Sequence, residues 1–189
     1  RGGRRAGRAL LRELLELYSP CRAVVEKPSA NGTLELRGLA VPRALLRAEP
    51  VHARKGSLPN FYQLWAASRL RRQAERQRGE RYGAVVRMRP DLLLRGPLPP
   101  EVLRPGSVLW HSDHEIDPAF QVSDKLAVGS SPAMDYYASV WPRLRSYWRR
   151  PLGRDPPLTH RVGERLMRQH MDAGPFEARA FHVPCDVVR

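Results

Sequence analysis

The stretch Tyr82-Gly83-Ala84-Val85-Val86-Arg87-Met88-Arg89-Pro90-Asp91 constrains the fold most. Ala84, Val86 and Met88 fall on one side of an extended chain, and Val85, Arg87 and Arg89 on the other. It reads as a short buried strand that ends in charge, and Pro90, which cannot donate to a ladder, marks its end. Directly before it, Asn60 reads as the N-cap of a helix to about Arg78, with Phe61, Leu64, Trp65 and Ser68 inward and Gly79 as the stop. Helix, short turn and strand form one αβ unit of a layered α/β fold. Two arginines on one strand face, followed at once by an aspartate, are costly to bury without partners. A strand end is a usual place to bind an anion or a metal. The structural alternative is an Arg–Asp ion pair that closes the strand.

The rest of the chain continues the alternation. Arg4 to Tyr18 reads as a helix ended by Pro20, Arg22 to Glu26 as a strand, and Thr33 to Leu36 as a short strand. Residues 40–59 have no clear period. Pro97 to Pro105 is a proline-rich loop, and Ser107 to Trp110 and Val122 to Val128 read as strands. Ser131, capping a helix with Pro132 at its first position, puts Met134, Tyr137, Ala138 and Trp141 inward before Pro142 ends or kinks it. Arg149 to Pro157 reads as a linker. Thr159 caps a further helix with Val162, Leu166, Met167 and His170 inward, stopped by Gly174-Pro175, and Arg179 to Val183 reads as a last strand. The 189 residues suit one domain over 1–189.

The net charge of +14 raises the question of nucleic acid. Lysine occurs only at positions 27, 55 and 125, and arginine is scattered through every segment. That distribution is compositional drift rather than a basic face, and it argues against nucleic acid as the partner while favouring acidic ligands. No apolar run approaches the roughly 20 residues of a membrane helix. Cys21 and Cys185 permit one disulfide without requiring it, and Asn31-Gly32-Thr33 is a sequon that matters only in a secretory lumen.

Three segments together carry a resemblance. They are Phe61-Tyr62-Gln63-Leu64-Trp65; Tyr82 through Leu92 with its Arg-x-Arg-Pro-Asp-Leu core; and Val122-Ser123-Asp124-Lys125-Leu126-Ala127-Val128-Gly129-Ser130, followed by Met134-Asp135-Tyr136-Tyr137. In order and spacing they resemble a group of glycosyltransferases with the nucleotide-diphospho-sugar transferase (GT-A-like) fold, over about residues 60–171. The resemblance implies a layered α/β/α mixed sheet, here truncated at the N-terminus because no strand before Arg22 reads as the one that cradles the base. It implies a nucleotide-sugar donor and a carbohydrate or glycoconjugate acceptor.

It also implies Mn or Mg, held by an Asp-x-Asp motif after a central strand. Here that place reads Arg89-Pro90-Asp91, so only Asp91 stands for an acid. Arg87 and Arg89 offer forked donors to the diphosphate in the cation's stead. The resemblance further suggests Asp124 and Lys125 for sugar or acceptor, Glu164 as general base, and His182 as a late metal ligand beside Asp91. The structural alternatives are a solvated strand cap at Asp124 and Lys125, a surface Glu164 among Arg161, Arg165 and Arg168, and a strand histidine hydrogen-bonded near the core. His111-Ser112-Asp113-His114-Glu115-Ile116-Asp117 holds metal-ligand residue types but no ligand spacing, and reads as an exposed acidic loop. A domain of the same ancestry whose site has decayed is the alternative to an enzyme.

Overall fold

The computed structural model describes residues 12, 16, 57–113, 116–119, 121–148 and 162–187. The chain divides into two compact units, residues 1–33 and 34–189. In the first, Arg12 and Glu16 are helical, as the leucine spacing predicts. The expected strands at 22–26 and 33–36, the sequon, Cys21, the 149–157 linker and the Thr159 cap lie outside the described residues, as do His114 and Glu115 of the acidic loop.

The second unit is α/β, with a mixed sheet and helices against it. Its elements are α1 (Ser57–Arg78), β1 (Val85–Met88), β2 (Leu92–Leu94), β3 (Val108–Ser112), β4 (Leu126–Gly129), α2 (Ser131–Ala138), α3 (Val140–Trp148), α4 (Val162–Asp172), β5 (Glu177–Phe181) and β6 (Cys185–Val187). The four-stranded sheet runs β1-β4-β3-β5, and β2 and β6 form a separate antiparallel ribbon. Among the described strands only β3 and β5 pair in parallel, and α2 to α4 lie in the crossover that such a pair needs.

The sheet's two faces bury different things. Leu109, Ala127 and Ala178 meet a core built by Phe61 and Leu64 of α1, Met134 and Tyr137 of α2, Trp141 and Leu144 of α3, and Leu166, Met167 and Met171 of α4. Leu126, Val128 and Phe181 face the other way, onto Leu92 and Cys185 of the ribbon and Val102 of the proline-rich loop. Among the described residues of the second unit, the four helices lie on one face of the sheet, and the ribbon with the proline-rich loop lies on the other. Gly129 packs closely under α2, and a Cβ there would stand 3.2 Å from Met134 Cγ, so a larger residue requires that side chain to shift.

Several boundaries move. Asn60 lies inside α1 rather than capping it. The end at Arg78 holds, with Gly79 at a φ of 72° as the left-handed stop. Residues 122–125 are not strand but a segment held by side chains. Ser130, not Ser131, caps α2, and the break comes at Ser139, so Pro142 sits in the first turn of α3. The inward residues of α2 and the stripe Leu166, Met167 and His170 are buried as expected. The strand at 85–88 is the largest correction. Within the described residues it is the sheet edge, with Val86 and Met88 half exposed and the arginine face turned toward the helices.

His170 is part of the core, fully buried and stacked on Tyr136 with 4.4 Å between ring centroids. Its Nε2–H donates to the Tyr136 carbonyl, which leaves Nδ1 to accept from the Tyr147 hydroxyl. Burial pushes its pKa down to about 4, and it does the same to His111 on β3. Both rings fold neutral, and the unfolded chain binds more protons between pH 4 and 6.5. Their contribution is complete above about pH 6.5 and is lost as pH falls toward 4. It amounts to about 3 kcal/mol for each ring. Thermal unfolding should show a melting temperature falling steeply between pH 6.5 and 4, and His170→Gln should flatten that fall.

Candidate functional site

Arg89, Pro90, Asp91 and Leu92 form a β-turn closed by the Leu92 N–H donating to the Arg89 carbonyl at 3.1 Å. Proline in the second position presets the φ that the turn needs. The turn sends the chain from β1 into the β2 ribbon and sets residues 89 and 91 side by side. The Arg89 guanidinium then forks onto the Asp91 carboxylate, Nε to Oδ1 at 2.8 Å and Nη2 to Oδ2. This is the ion pair of the structural alternative, although it lies at the surface, each partner about a third exposed. The hydrogen bond from Arg89 is the main reason the Asp91 carboxyl is held below the usual carboxylate range, with the charges of Arg89 and Arg87 assisting.

The Arg89 N–H bonds the Lys125 carbonyl at 2.9 Å, so the β1–β4 ladder continues one pair past the strand ends. The Asp124 loop is thereby fixed against the turn. Ser123 holds that loop from beneath. Its carbonyl accepts from the buried Tyr137 hydroxyl at 2.8 Å, and its Oγ accepts from Ser112 and from the Lys125 N–H, each at 3.1 Å. Val122 donates its N–H to the Glu164 carbonyl at 3.1 Å, which ties the first turn of α4 to the same loop.

The turn, the loop and α4 consequently bring sequence-selected residues near one another. Arg87 donates from Nη2 to Asn60 Oδ1 at 2.7 Å, and Asn60 Nδ2 donates to Asp124 Oδ2. Arg89 is held above its ordinary pKa first by the hydrogen bond to Asp91, then by the charges of Asp91, Asp124 and Glu164. The Tyr137 hydroxyl beneath is pushed up by burial, and it feels Arg87, Asp124 and Glu164 as well. Arg87, Arg89, Asp91, Asp124 and Glu164 thus share one electrostatic neighbourhood, drawn from β1, its turn, the 122–125 loop and α4. Lys125 is buried at the edge of the same loop.

His182 is not brought in. The ribbon pairs Leu92 with Val187 and Leu94 with Cys185, so Asp91 and His182 flank opposite ends of it. His182 is exposed and its Nδ1 lies 3.2 Å from Asp113. Among the described residues no group of three His, Cys, Asp or Glu side chains is placed to hold a metal. With Asp91 engaged by Arg89, these residues do not fit the Mn or Mg that the resemblance implies.

The sequence reading missed Asn60, Ser123 and Tyr137 as site residues. Tyr137 lay on the predicted apolar stripe and Asn60 at a predicted cap, so each already had an explanation. Asn60→Leu removes the acceptor for Arg87 and the donor for Asp124 while leaving both charged groups partly buried. It should destabilise the fold by about 2 kcal/mol in urea unfolding, whereas Asp91→Asn, at an exposed pair, should cost less than about 0.5 kcal/mol. Searches against protein-family models, curated proteins and solved structures give no match for this chain.

Proposed function

We propose that the protein is a glycosyltransferase of GT-A-like ancestry that moves a sugar from a nucleoside-diphosphate donor to a hydroxyl acceptor at this cluster. The observation that carries the reading is the convergence of Arg87, Arg89, Asp91, Asp124 and Glu164 from four segments of the chain. Sugar transfer needs both halves of such a set. An acceptor O–H must lose its proton to a carboxylate as its oxygen attacks the anomeric carbon. The bond from that carbon to the diphosphate then breaks, its electron pair passes to the phosphate oxygen, and a cationic group must offset the charge that develops.

In this reading Glu164 takes the acceptor proton and Asp124 accepts hydrogen bonds from sugar hydroxyls. Arg87 and Arg89 face the diphosphate. Arg87 commits Nη2 to Asn60, and Arg89 commits Nε and Nη2 to Asp91. Phosphate oxygens therefore take the remaining nitrogen of Arg89 or displace the Asp91 carboxylate, while Arg87, whose Nη1 is buried, contributes its charge. Arginine is suited to this because it stays charged and presents two parallel donors.

The Arg89–Asp91 pair also favours a second reading, a domain of the same ancestry in which acid and base neutralise one another and no donor is turned over. Calorimetric titration with uridine and guanosine diphosphate-sugars, with manganese and with a chelator, separates the two. The enzyme reading predicts binding that survives the chelator, and donor hydrolysis that falls at least about 100-fold in Glu164→Gln without loss of melting temperature. Absence of binding to every donor under both conditions overturns it in favour of the second reading.

A further inference from the structure

The Arg89–Asp91 pair has the form of an occupied oxyanion seat. A guanidinium offers a carboxylate the same parallel fork of N–H donors that it offers a phosphate. Here the oxygens come from Asp91, two residues along the same turn, which accepts from Nε and Nη2 of Arg89. Both side chains are about a third exposed, so the seat is reached from solvent. A pair of the same form lies on β5, at the opposite edge of the four-stranded sheet. There Arg179 forks onto Glu177 at 2.7 and 2.8 Å, away from the cluster, and it serves as an internal control.

The backbone under the seat does not depend on the pair. Pro90 presets the turn, the Leu92 N–H closes it on the Arg89 carbonyl, and the Arg89 N–H is tied to the Lys125 carbonyl. The Asp91 carboxylate can therefore leave the fork by rotating its own side chain while the turn stays in place. What holds it there is a solvent-exposed ion pair, an interaction of little net strength in water. While it is held, it offsets the charge of Arg89. An incoming phosphate also meets Asp124 and Glu164, both close enough to act on Arg89. A diphosphate, with more charge than one carboxylate, gains more from the guanidinium once the seat is open.

We infer that Asp91 is an internal competitor for the phosphate seat at Arg89: its carboxylate holds the fork until a diphosphate displaces it. This deepens the proposed function and rests on its assignment of Arg89 to the diphosphate. Asp91 then sets how tightly the donor's diphosphate is held, with a sign opposite to that of the metal-holding acid that the resemblance implies. Removing a metal ligand weakens diphosphate binding, whereas removing a competitor strengthens it.

The test is calorimetric titration with inorganic pyrophosphate, at fixed ionic strength and with a chelator present. Asp91→Asn should bind pyrophosphate at least about threefold more tightly than the wild type, because an exposed ion pair no longer competes. Glu177→Gln makes the same change in net charge at the control pair and should leave the affinity within about 1.5-fold, since a charge at the far edge of the sheet is screened. In an Arg89→Gln background, Asp91→Asn should bring no such gain. A gain below about threefold or a loss in Asp91→Asn, an equal gain in Glu177→Gln, an equal gain without Arg89, or no pyrophosphate binding by Asp91→Asn overturns the inference. Pyrophosphate carries no sugar, so the two readings fail separately. Donors that bind and turn over while Asp91→Asn brings no gain overturn the competitor and leave sugar transfer standing. A gain with pyrophosphate but no binding of any nucleotide-sugar leaves the seat and overturns sugar transfer.

Discussion

The architecture of the second unit depends on how Arg87 is accommodated. An arginine on a strand face that points at a helical layer must be paired or left at a cost of several kcal/mol. Here the helix supplies an amide rather than a carboxylate. Asn60 accepts from Arg87 with its oxygen and donates to Asp124 with its nitrogen, so one side chain joins α1, β1 and the loop before β4. Strand edge, helix and loop are then fixed by polar geometry at the point where the apolar core thins out. The exposed outer face of β1, with Val86 and Met88 about half accessible, gives that strand little apolar anchorage of its own.

The Arg89-Pro90-Asp91-Leu92 run has a conformational explanation independent of catalysis. Proline sets the turn, the flanking arginine and aspartate clamp it, and the leucine begins β2 on the far face. A pattern that resembles an enzyme motif can therefore be held in place by folding alone. The Glu164 carbonyl accepts from the Val122 N–H and the Ser123 hydroxyl accepts from the Lys125 N–H, so the first turn of α4 and the backbone of the Asp124 loop are held independently of any chemistry.

Much of this was legible in the sequence, and the failures have identifiable causes. The stripes of α1, α2 and α4 were read correctly because a helix that packs on one side repeats its apolar residues at three and four. For β1 the period of two gave both faces but not which one was inward. The helices lie on the arginine side, and Val86 and Met88 are half exposed. Leu92–Leu94 and Cys185–Val187 escaped notice because three residues are too few to carry a period. Asp91 and Arg89 stood out as charges at a strand end, and Asp124 and Glu164 were selected through the resemblance. Asn60 and Ser123 did not, since caps and turns use the same residue types.

The account rests on Asn60 acting as a structural bridge to Asp124, and a double-mutant cycle in urea unfolding tests it most directly. Asn60→Ala, Asp124→Ala and the pair should show a coupling of about 1–2 kcal/mol, because removing either partner already breaks the chain to Arg87. Additivity within about 0.3 kcal/mol would contradict it, since the two side chains would then stabilise the fold independently.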